Sequence, residues 1–378
     1  MSAQSTSINN TSFHQMNLAT NLFDALEKMN ILNPTEIQRD AIPIILSGAD
    51  LIAIAQTGSG KTLAFALPVV TQLQINKESR ALILAPSREI AEQIYKVFLK
   101  LLDGTSILPG LIIGGIPNKE QVSLLKKKPR LLVATPGRMN DHLVNNKLLL
   151  QNVGMVVIDE ADRMLDLGFS PQLKSIRKTM RGTWQTMMFS ASFSDDVHAV
   201  AKNFMHGEPT IIRANLAEKP VIDLKQKVFL IDEEHKNIQL IKELKVVKAS
   251  VIIFVSDQSH SEKLGQYLES RGFSCDFTHG GLVPGHRKRV LREFREGKIQ
   301  ILITTDLLAR GIDVDHVECV INFDLPFKAE DFLHRIGRTA RAGRVGYAIT
   351  FVTQRNHEMY SMIKEYLSGA EIIKMNLN

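Results

Sequence analysis

Short apolar runs alternate with amphipathic segments along the whole chain, a rhythm that predicts parallel strands joined by crossover helices. In the first half the strand runs are Leu51–Ile54, Ala81–Leu84, Leu111–Ile113, Leu131–Val133, Met155–Ile158 and Met187–Phe189. In the second half they are Val228–Ile231, Val251–Val255, Cys275–Thr278, Ile301–Thr304, Val317–Asn322 and Ala348–Phe351. Runs this short and this apolar, bounded by charge or turn residues, suit strands buried on both faces. Between the two sets, Gly207 to Val221 holds Pro209 and Pro220 among polar residues and reads as a connection. The expected layout is a lead-in at 1–20, a first domain at 21–208, a linker at 209–221 and a second domain at 222–378. Each domain is expected to hold a sheet of about six strands. A chain of 378 residues is long enough for two such cores.

Composition narrows the class. Hydrophobic residues make up 44% and charged residues 23%, ordinary for a globular protein. No apolar stretch approaches the roughly 20 residues that span a bilayer, so no membrane association is expected. The first twenty residues lack Lys, Arg, Asp and Glu and read as a flexible lead-in rather than a signal or transit peptide. Cys275 and Cys319 stand alone, without metal-like spacing, which suggests a reduced, cytoplasmic protein with no structural zinc. The net charge of +6 permits a polyanionic partner without establishing one.

The chemistry is concentrated at strand ends. After Leu51–Ile54 comes Ala55-Gln56-Thr57-Gly58-Ser59-Gly60-Lys61-Thr62. A glycine-rich turn between strand and helix aims N–H groups and a helix N-terminus at phosphates. Lys61 would reach the β- and γ-phosphates of ATP, and the Thr62 hydroxyl would ligate Mg²⁺. After the run Val153 to Ile158 comes Asp159-Glu160-Ala161-Asp162, where Asp159 would hold the metal and Glu160 would orient or deprotonate the attacking water. Together these specify a nucleoside-triphosphate hydrolase. In the second half, Val251–Val255 leads to Ser256-Asp257-Gln258-Ser259, where a phosphate loop would sit, yet no Gly-Lys-Thr follows. That half therefore contributes something else. It holds His334-Arg335-Ile336-Gly337-Arg338-Thr339-Ala340-Arg341, in which Arg338 and Arg341 are spaced to share a helix face. A basic solvated face is the plain reading of such a cluster; beside a phosphate loop, fingers for a transferring phosphoryl group are favoured. Lys126-Lys127-Lys128 reads as a solvated turn, or as added attraction for a nucleic-acid backbone.

In sum and order these motifs resemble the DEAD-box RNA helicases, from about Phe13 to Arg344. The resemblance implies an α/β fold of two tandem RecA-like domains, each a mainly parallel sheet flanked by helices, joined by a short linker. It implies RNA-stimulated ATP hydrolysis with Mg²⁺, and local unwinding or remodelling of RNA held by its backbone. Pro34-Thr35-Glu36-Ile37-Gln38 resembles the family's adenine-reading motif, with Phe13 at the aromatic position upstream; a Gln amide offers one donor and one acceptor, and a ring can stack on a base. The plain alternatives are a hydrophobic staple for Phe13 and an exposed helical amide for Gln38. Gly311 and Asp313 match nucleotide-contacting positions, Asp313 at the ribose. Pro86, Arg88, Gly115, Thr135, Gly137, Arg138, Gly280, Arg287 and Thr305 match RNA-contacting positions, which position a strand without reading its bases. Asp162, Ser190, Ser192 and His334 match the network coupling ATP state to RNA. The sequence departs from the family pattern at Ser87, Ser192, Pro284 and Ala340, the last being of consequence if that position requires positive φ. An ATP-gated RNA clamp and a DNA helicase remain alternatives. The core reads as a monomer, targeted to its RNA by protein partners.

Overall fold

The structure, a computed structural model, describes residues 12–55, 58–214, 224–306, 317–340 and 345–375. The chain divides into two compact units, Met1–Ala217 and Glu218–Asn378.

In the first unit the strands are β1 (Leu51–Ile54), β2 (Arg80–Leu84), β3 (Pro109–Ile112), β4 (Leu131–Ala134), β5 (Val153–Ile158), β6 (Gln185–Ser190) and β7 (Thr210–Arg213). They form one parallel sheet in the order β3-β4-β2-β5-β6-β1-β7. Alternate residues feed opposite faces, as the two-residue strand period requires. Leu51 and Ala53 join the core beneath the helices Asn21–Lys28, Glu36–Leu46, Lys61–Ile75 and Arg88–Leu101, whereas Ile52 and Ile54 join the core on the other face.

The second unit contains β8 (Leu224–Leu230), β9 (Val251–Phe254), β10 (Cys275–Thr278), β11 (Ile301–Thr304), β12 (Cys319–Asn322), β13 (Gly346–Val352) and β14 (Glu371–Lys374). Their order is β10-β11-β9-β12-β13-β8-β14. This is the first unit's order repeated strand for strand, so β8 corresponds to β1 and β12 to β5.

Each sheet thus has seven strands rather than the six expected. The additional strands, β7 and β14, lie at sheet edges and are mostly exposed, so they lack the buried apolar run that marks the others. Strand β7 lies inside the stretch expected as a linker, of which residues 215–221 are outside the described residues. Strand β3 begins earlier than expected, at Pro109, a residue that an edge strand accommodates because no neighbour needs its missing N–H.

The repeated order also corrects the position assigned to the second unit's vestigial phosphate loop. The counterpart of the loop after β1 follows β8, not β9. There Ile231-Asp232-Glu233-Glu234-His235 precedes a helix, Lys236–Val246, that starts on a lysine just as Lys61 starts the helix Lys61–Ile75.

Candidate nucleotide and RNA site

Apart from residues 34–38, which precede β1, the first unit's candidate loops leave the carboxyl ends of parallel strands, the edge at which open α/β sheets hold ligands. Strand order sorts them. Loops matched to RNA follow β3, β4 and β2; loops matched to ATP follow β5 and β1, with Ser190 on β6 between them.

The phosphate loop is shaped by its glycines. Gly58 and Gly60 have φ of 87° and 94°, a left-handed conformation in which glycine carries no Cβ penalty. Gly60 has a second reason: a Cβ there would lie 2.5 Å from Gln38 Nε2 and 2.9 Å from Thr35 Oγ1. Lys61 is buried, and its ammonium donates to the Ala55 carbonyl at 2.8 Å, inside the loop's own curve. Gln38 donates to the Gly60 carbonyl at 3.0 Å and accepts from the Thr35 N–H at 3.0 Å. One donor and one lone pair of the amide remain for a base. Gln38 is therefore a buried strut of the phosphate loop, and the exposed-amide reading is excluded.

Phe13 needs correction. It is 3% exposed and packed in the core with Met16 and Leu18, so it anchors the lead-in and presents almost no ring face to a base.

Asp159 and Glu160 are set at the end of β5, where Asp159 N–H donates to the Leu84 carbonyl on β2 at 3.0 Å. Asp159 is 5% exposed, and burial, with the adjacent Glu160 charge, pushes its carboxyl up to about 7 despite the lowering influence of Lys61. A buried carboxylate this poorly compensated suits a divalent cation. Among the described residues no group of three or more His, Cys, Asp or Glu is placed to hold a metal by itself. That fits Mg²⁺, which takes one or two protein oxygens and completes its shell with water and phosphate.

Glu160 occupies left-handed backbone space (φ 51°, ψ 54°) as the N-cap of the helix Ala161–Asp166. Such a conformation costs a non-glycine residue about 1–3 kcal/mol and persists only where neighbours enforce it. Here the enforcing contacts are visible: Glu160 N–H donates to Asp159 Oδ1 at 3.1 Å, and Arg163 Nη1 donates to Glu160 Oε2 at 3.0 Å. Sequence reasoning missed Arg163, although its i,i+3 spacing from Glu160 was a usable signal.

Asp162 joins the two loops on either side of it. Its Oδ2 accepts from the N–H groups of Ala191 and Ser192 at 3.1 and 3.2 Å, and its own N–H donates to Ser190 Oγ at 3.3 Å. Ser190 pairs in register with Ile54, and its carbonyl accepts from Ala55 N–H at 2.9 Å, so acidic loop, Ser190 and phosphate loop form one hydrogen-bonded chain.

On the RNA side, Ser87 caps the helix Arg88–Leu101 through Ile90 N–H. The two adjacent glycines have different causes. A Cβ on Gly114 would strike the Arg88 guanidinium at 2.5 Å, while Gly115 has φ of 83°. Arg138 donates to the Ile116 carbonyl at 3.0 Å, tying two candidate loops together. Pro86 is buried, and Thr135 and Thr305 are each 8% exposed, so these three shape their loops and offer a strand little surface. Arg88, Gly115, Gly137, Arg138, Gly280 and Arg287 retain exposure. In the second unit, His279 Nδ1 accepts from Gly281 N–H at 3.2 Å, so Nε2 carries the proton that reaches Glu262 at 3.0 Å and the Gly280 turn is fixed. Pro284 stands at the first turn of the helix Pro284–Arg295, where its missing N–H has no partner to lose.

The arginine cluster differs from expectation. Its helix, Ala329–Ile336, stops at the cap Gly337, so Arg338 lies beyond it and the shared-face argument fails. Arg338 is buried, its Nε donating to the carbonyl of His334 at 3.3 Å. Gln56, Thr57, Gly311, Asp313 and Arg341 lie outside the described residues. Ala340 does adopt positive φ, 56°, at a cost of about 1 kcal/mol relative to glycine. Its neighbour permits it: a Cβ on Gly346 would lie 2.6 Å from the Ala340 Cβ. Arg335, unassigned by sequence reasoning, is 2% exposed and forms a two-pronged pair with Asp306, at 2.5 and 2.6 Å. It also donates to the Asp324 carbonyl and lies 4.8 Å over the Phe254 ring.

The second unit's own counterpart of the ATP site is closed from within. Lys236, the positional equivalent of Lys61, is 1% exposed, and its ammonium meets Asp324 Oδ1 at 2.6 Å and Glu233 Oε1 at 3.0 Å. Asp324 Oδ2 also accepts from Ser256 N–H at 2.9 Å and lies 2.8 Å from His260 Nδ1. Burial would raise the Asp324 carboxyl, but the His260 hydrogen bond and the Lys236 charge hold it well below the usual carboxylate range. The loop after β8 carries Asp232, Glu233 and Glu234 and no glycine, and Asp324, after β12, occupies the place that Asp159 holds after β5.

Two matching parallel sheets, one with an open phosphate loop and an acidic strand end, define a nucleotide-hydrolysing core of two RecA-like units. Residues 35–200 match the DEAD/DEAH box helicase family, and residues 235–343 match the helicase conserved C-terminal domain. The chain is 39% identical over 358 residues to the ATP-dependent rRNA helicase RRP3 of Meyerozyma guilliermondii, covering 94% of this chain and 75% of that protein. It is 38% identical to the DEAD-box ATP-dependent RNA helicase CshA of Geobacillus kaustophilus, over 91% of this chain and 74% of that one. Among solved structures, S. cerevisiae Dbp5 bound to RNA and ADP BeF3 superposes with a TM-score of 0.84 at 34% identity, covering 96% of this chain and 95% of the chain in that structure. This protein belongs to the DEAD/DEAH box helicase family.

Proposed function

We infer that the chain is an ATP-dependent RNA helicase that grips single-stranded RNA by its backbone and locally unwinds or remodels duplexes or RNA–protein complexes as it hydrolyses ATP. The observation that carries this reading is the continuous hydrogen-bonded path from the phosphate loop through Ser190 to Asp162, beside strand ends that carry the half-exposed Arg88 and Arg138 and the glycines. ATP is held by the loop from Ala55 to Thr62, with Lys61 leaving the Ala55 carbonyl for the phosphates. Thr62 and Asp159 would hold Mg²⁺, which neutralises charge developing on the transferred phosphoryl group. Glu160 positions the attacking water and accepts its proton. Arg338 and Arg341 supply guanidinium charge to the transferring group. Because affinity couplings are reciprocal, RNA tightens ATP binding as much as ATP tightens RNA binding. Cys275 and Cys319 are free thiols, which supports a reducing, cytoplasmic setting.

Strand displacement tests the reading. On a short RNA duplex with a single-stranded flank, ATP is expected to release one strand, whereas ATP-dependent gripping with no release favours the clamp. Competition by deoxyribose strands as strong as by ribose strands would instead favour a DNA substrate.

A further inference from the structure

At the opposite, amino-terminal edge of the first unit's sheet lies a cleft of 970 Å³ that the ATP and RNA loops leave unused. The starts of β2, β4 and β5 meet there with the ends of the helices Lys61–Ile75, Asn118–Lys126 and Pro136–Asn145. Lys77, Arg80, Lys126, Lys128 and Arg130 line it, against one acidic residue, Glu78. Such a cluster has an ordinary explanation, since cations complement helix C-termini. Here Arg130 already serves that purpose for the helix Lys61–Ile75, and Arg80 is committed to carbonyls of the neighbouring turns. Arg130 donates to the Leu73, Asn76 and Ser79 carbonyls, and Arg80 to those of Leu149, Gln151 and Pro129. The ammonium groups of Lys77, Lys126 and Lys128 make no ion pair or hydrogen bond among the described residues, and all three are exposed. Lys128 is moreover held in left-handed backbone space, φ 53°. The wall between them carries the amides of Asn118, Gln151 and Asn152, groups that pair with sugar hydroxyls and base edges.

We propose that this cleft is a second RNA site, which holds single-stranded RNA continuing beyond the segment gripped at the carboxyl edge. The proposal rests on the RNA-helicase reading. It favours RNA over an acidic peptide because a flank of the same substrate carries a phosphate at every nucleotide and matches lysines set around a wall where amides alternate with Val122, Leu125 and Leu148. Strands of four to six residues put the two edges on the order of 15–20 Å apart before loops are counted. A flank of about ten nucleotides, advancing about 3.4 Å each, covers that distance.

The test measures RNA affinity against salt, with a nonhydrolysable ATP analogue, for strands of about 10 and about 30 nucleotides. The variant carries Lys77→Gln, Lys126→Gln and Lys128→Asn, the last because Asn tolerates left-handed backbone. A control carries arginine at the same positions. On the long strand the neutral variant is expected to flatten the log–log salt slope by about 2, from roughly 0.7 for each phosphate released. The arginine control is expected to restore the slope, and the short strand to bind all three proteins alike. An unchanged slope on the long strand overturns the proposal, as does an equal loss on both lengths. Capture of polyglutamate by the parent with RNA binding unaffected overturns it in favour of an acidic peptide. Failure of the parent to bind even the short strand would count against the helicase reading, a separate outcome.

Discussion

Glu160→Gln is expected to lower ATP turnover by a factor of about 10² to 10⁴, the usual contribution of a positioned general base, with ATP and RNA affinities unchanged. The expectation rests on the strain and on the pairing. A glutamate held in left-handed space, with 15% of its side chain exposed and an arginine fixing one oxygen, is a carboxylate set in one orientation. Gln preserves the shape and still accepts from Arg163, so the fold and the pocket survive. What it loses is the negative charge and the ability to take a proton. Turnover is read in steady state beside nucleotide binding and melting temperature. Retained turnover, with binding intact, would show that Glu160 is not the general base.

Arg335→Ala is expected to destabilise the second unit by about 3 kcal/mol, the low end of the range for removing one partner of a buried ion pair, because the Asp306 side chain keeps 26% exposure. Arg335 is enclosed by Asp306, the Asp324 carbonyl, Asn322 and the Phe254 ring, and its loss strands the Asp306 carboxylate beside Thr305. The same change releases Asp306, next to the RNA-matched Thr305, so RNA affinity is expected to fall as well. Urea unfolding followed by probes placed in each unit separates the effects. A loss below about 1 kcal/mol, typical of an exposed pair, contradicts the burial argument.

Much of this was legible in the sequence because it is local. The inner strand runs, such as Leu51–Ile54, Val251–Phe254 and Ile301–Thr304, are buried on both faces, and continuous burial leaves a continuous apolar signature. The phosphate loop and the Asp159–Asp162 turn are read directly because their chemistry dictates residue types at fixed spacing. The positive φ at Ala340 followed from a glycine position filled by another residue. What was not legible depends on partners distant in sequence. Strands β7 and β14 are exposed edges with no apolar run. Gln38 is a strut of the phosphate loop only because Gly60 approaches it from another element. Lys236 has no glycine-rich context and becomes the counterpart of Lys61 only once the strand orders are compared. The helix carrying Arg335 ends at Ile336, so a spacing rule for helices does not extend to Arg338, which lies past the cap Gly337.

The central claim is that the first unit's ATP chemistry is governed by RNA. ATP turnover by the full chain, with Mg²⁺, measured with and without saturating single-stranded RNA, tests it most directly. The expected result is slow turnover alone and a rise of at least about tenfold with RNA, a difference of roughly 1.4 kcal/mol in the barrier. Equal turnover in the two conditions would contradict it.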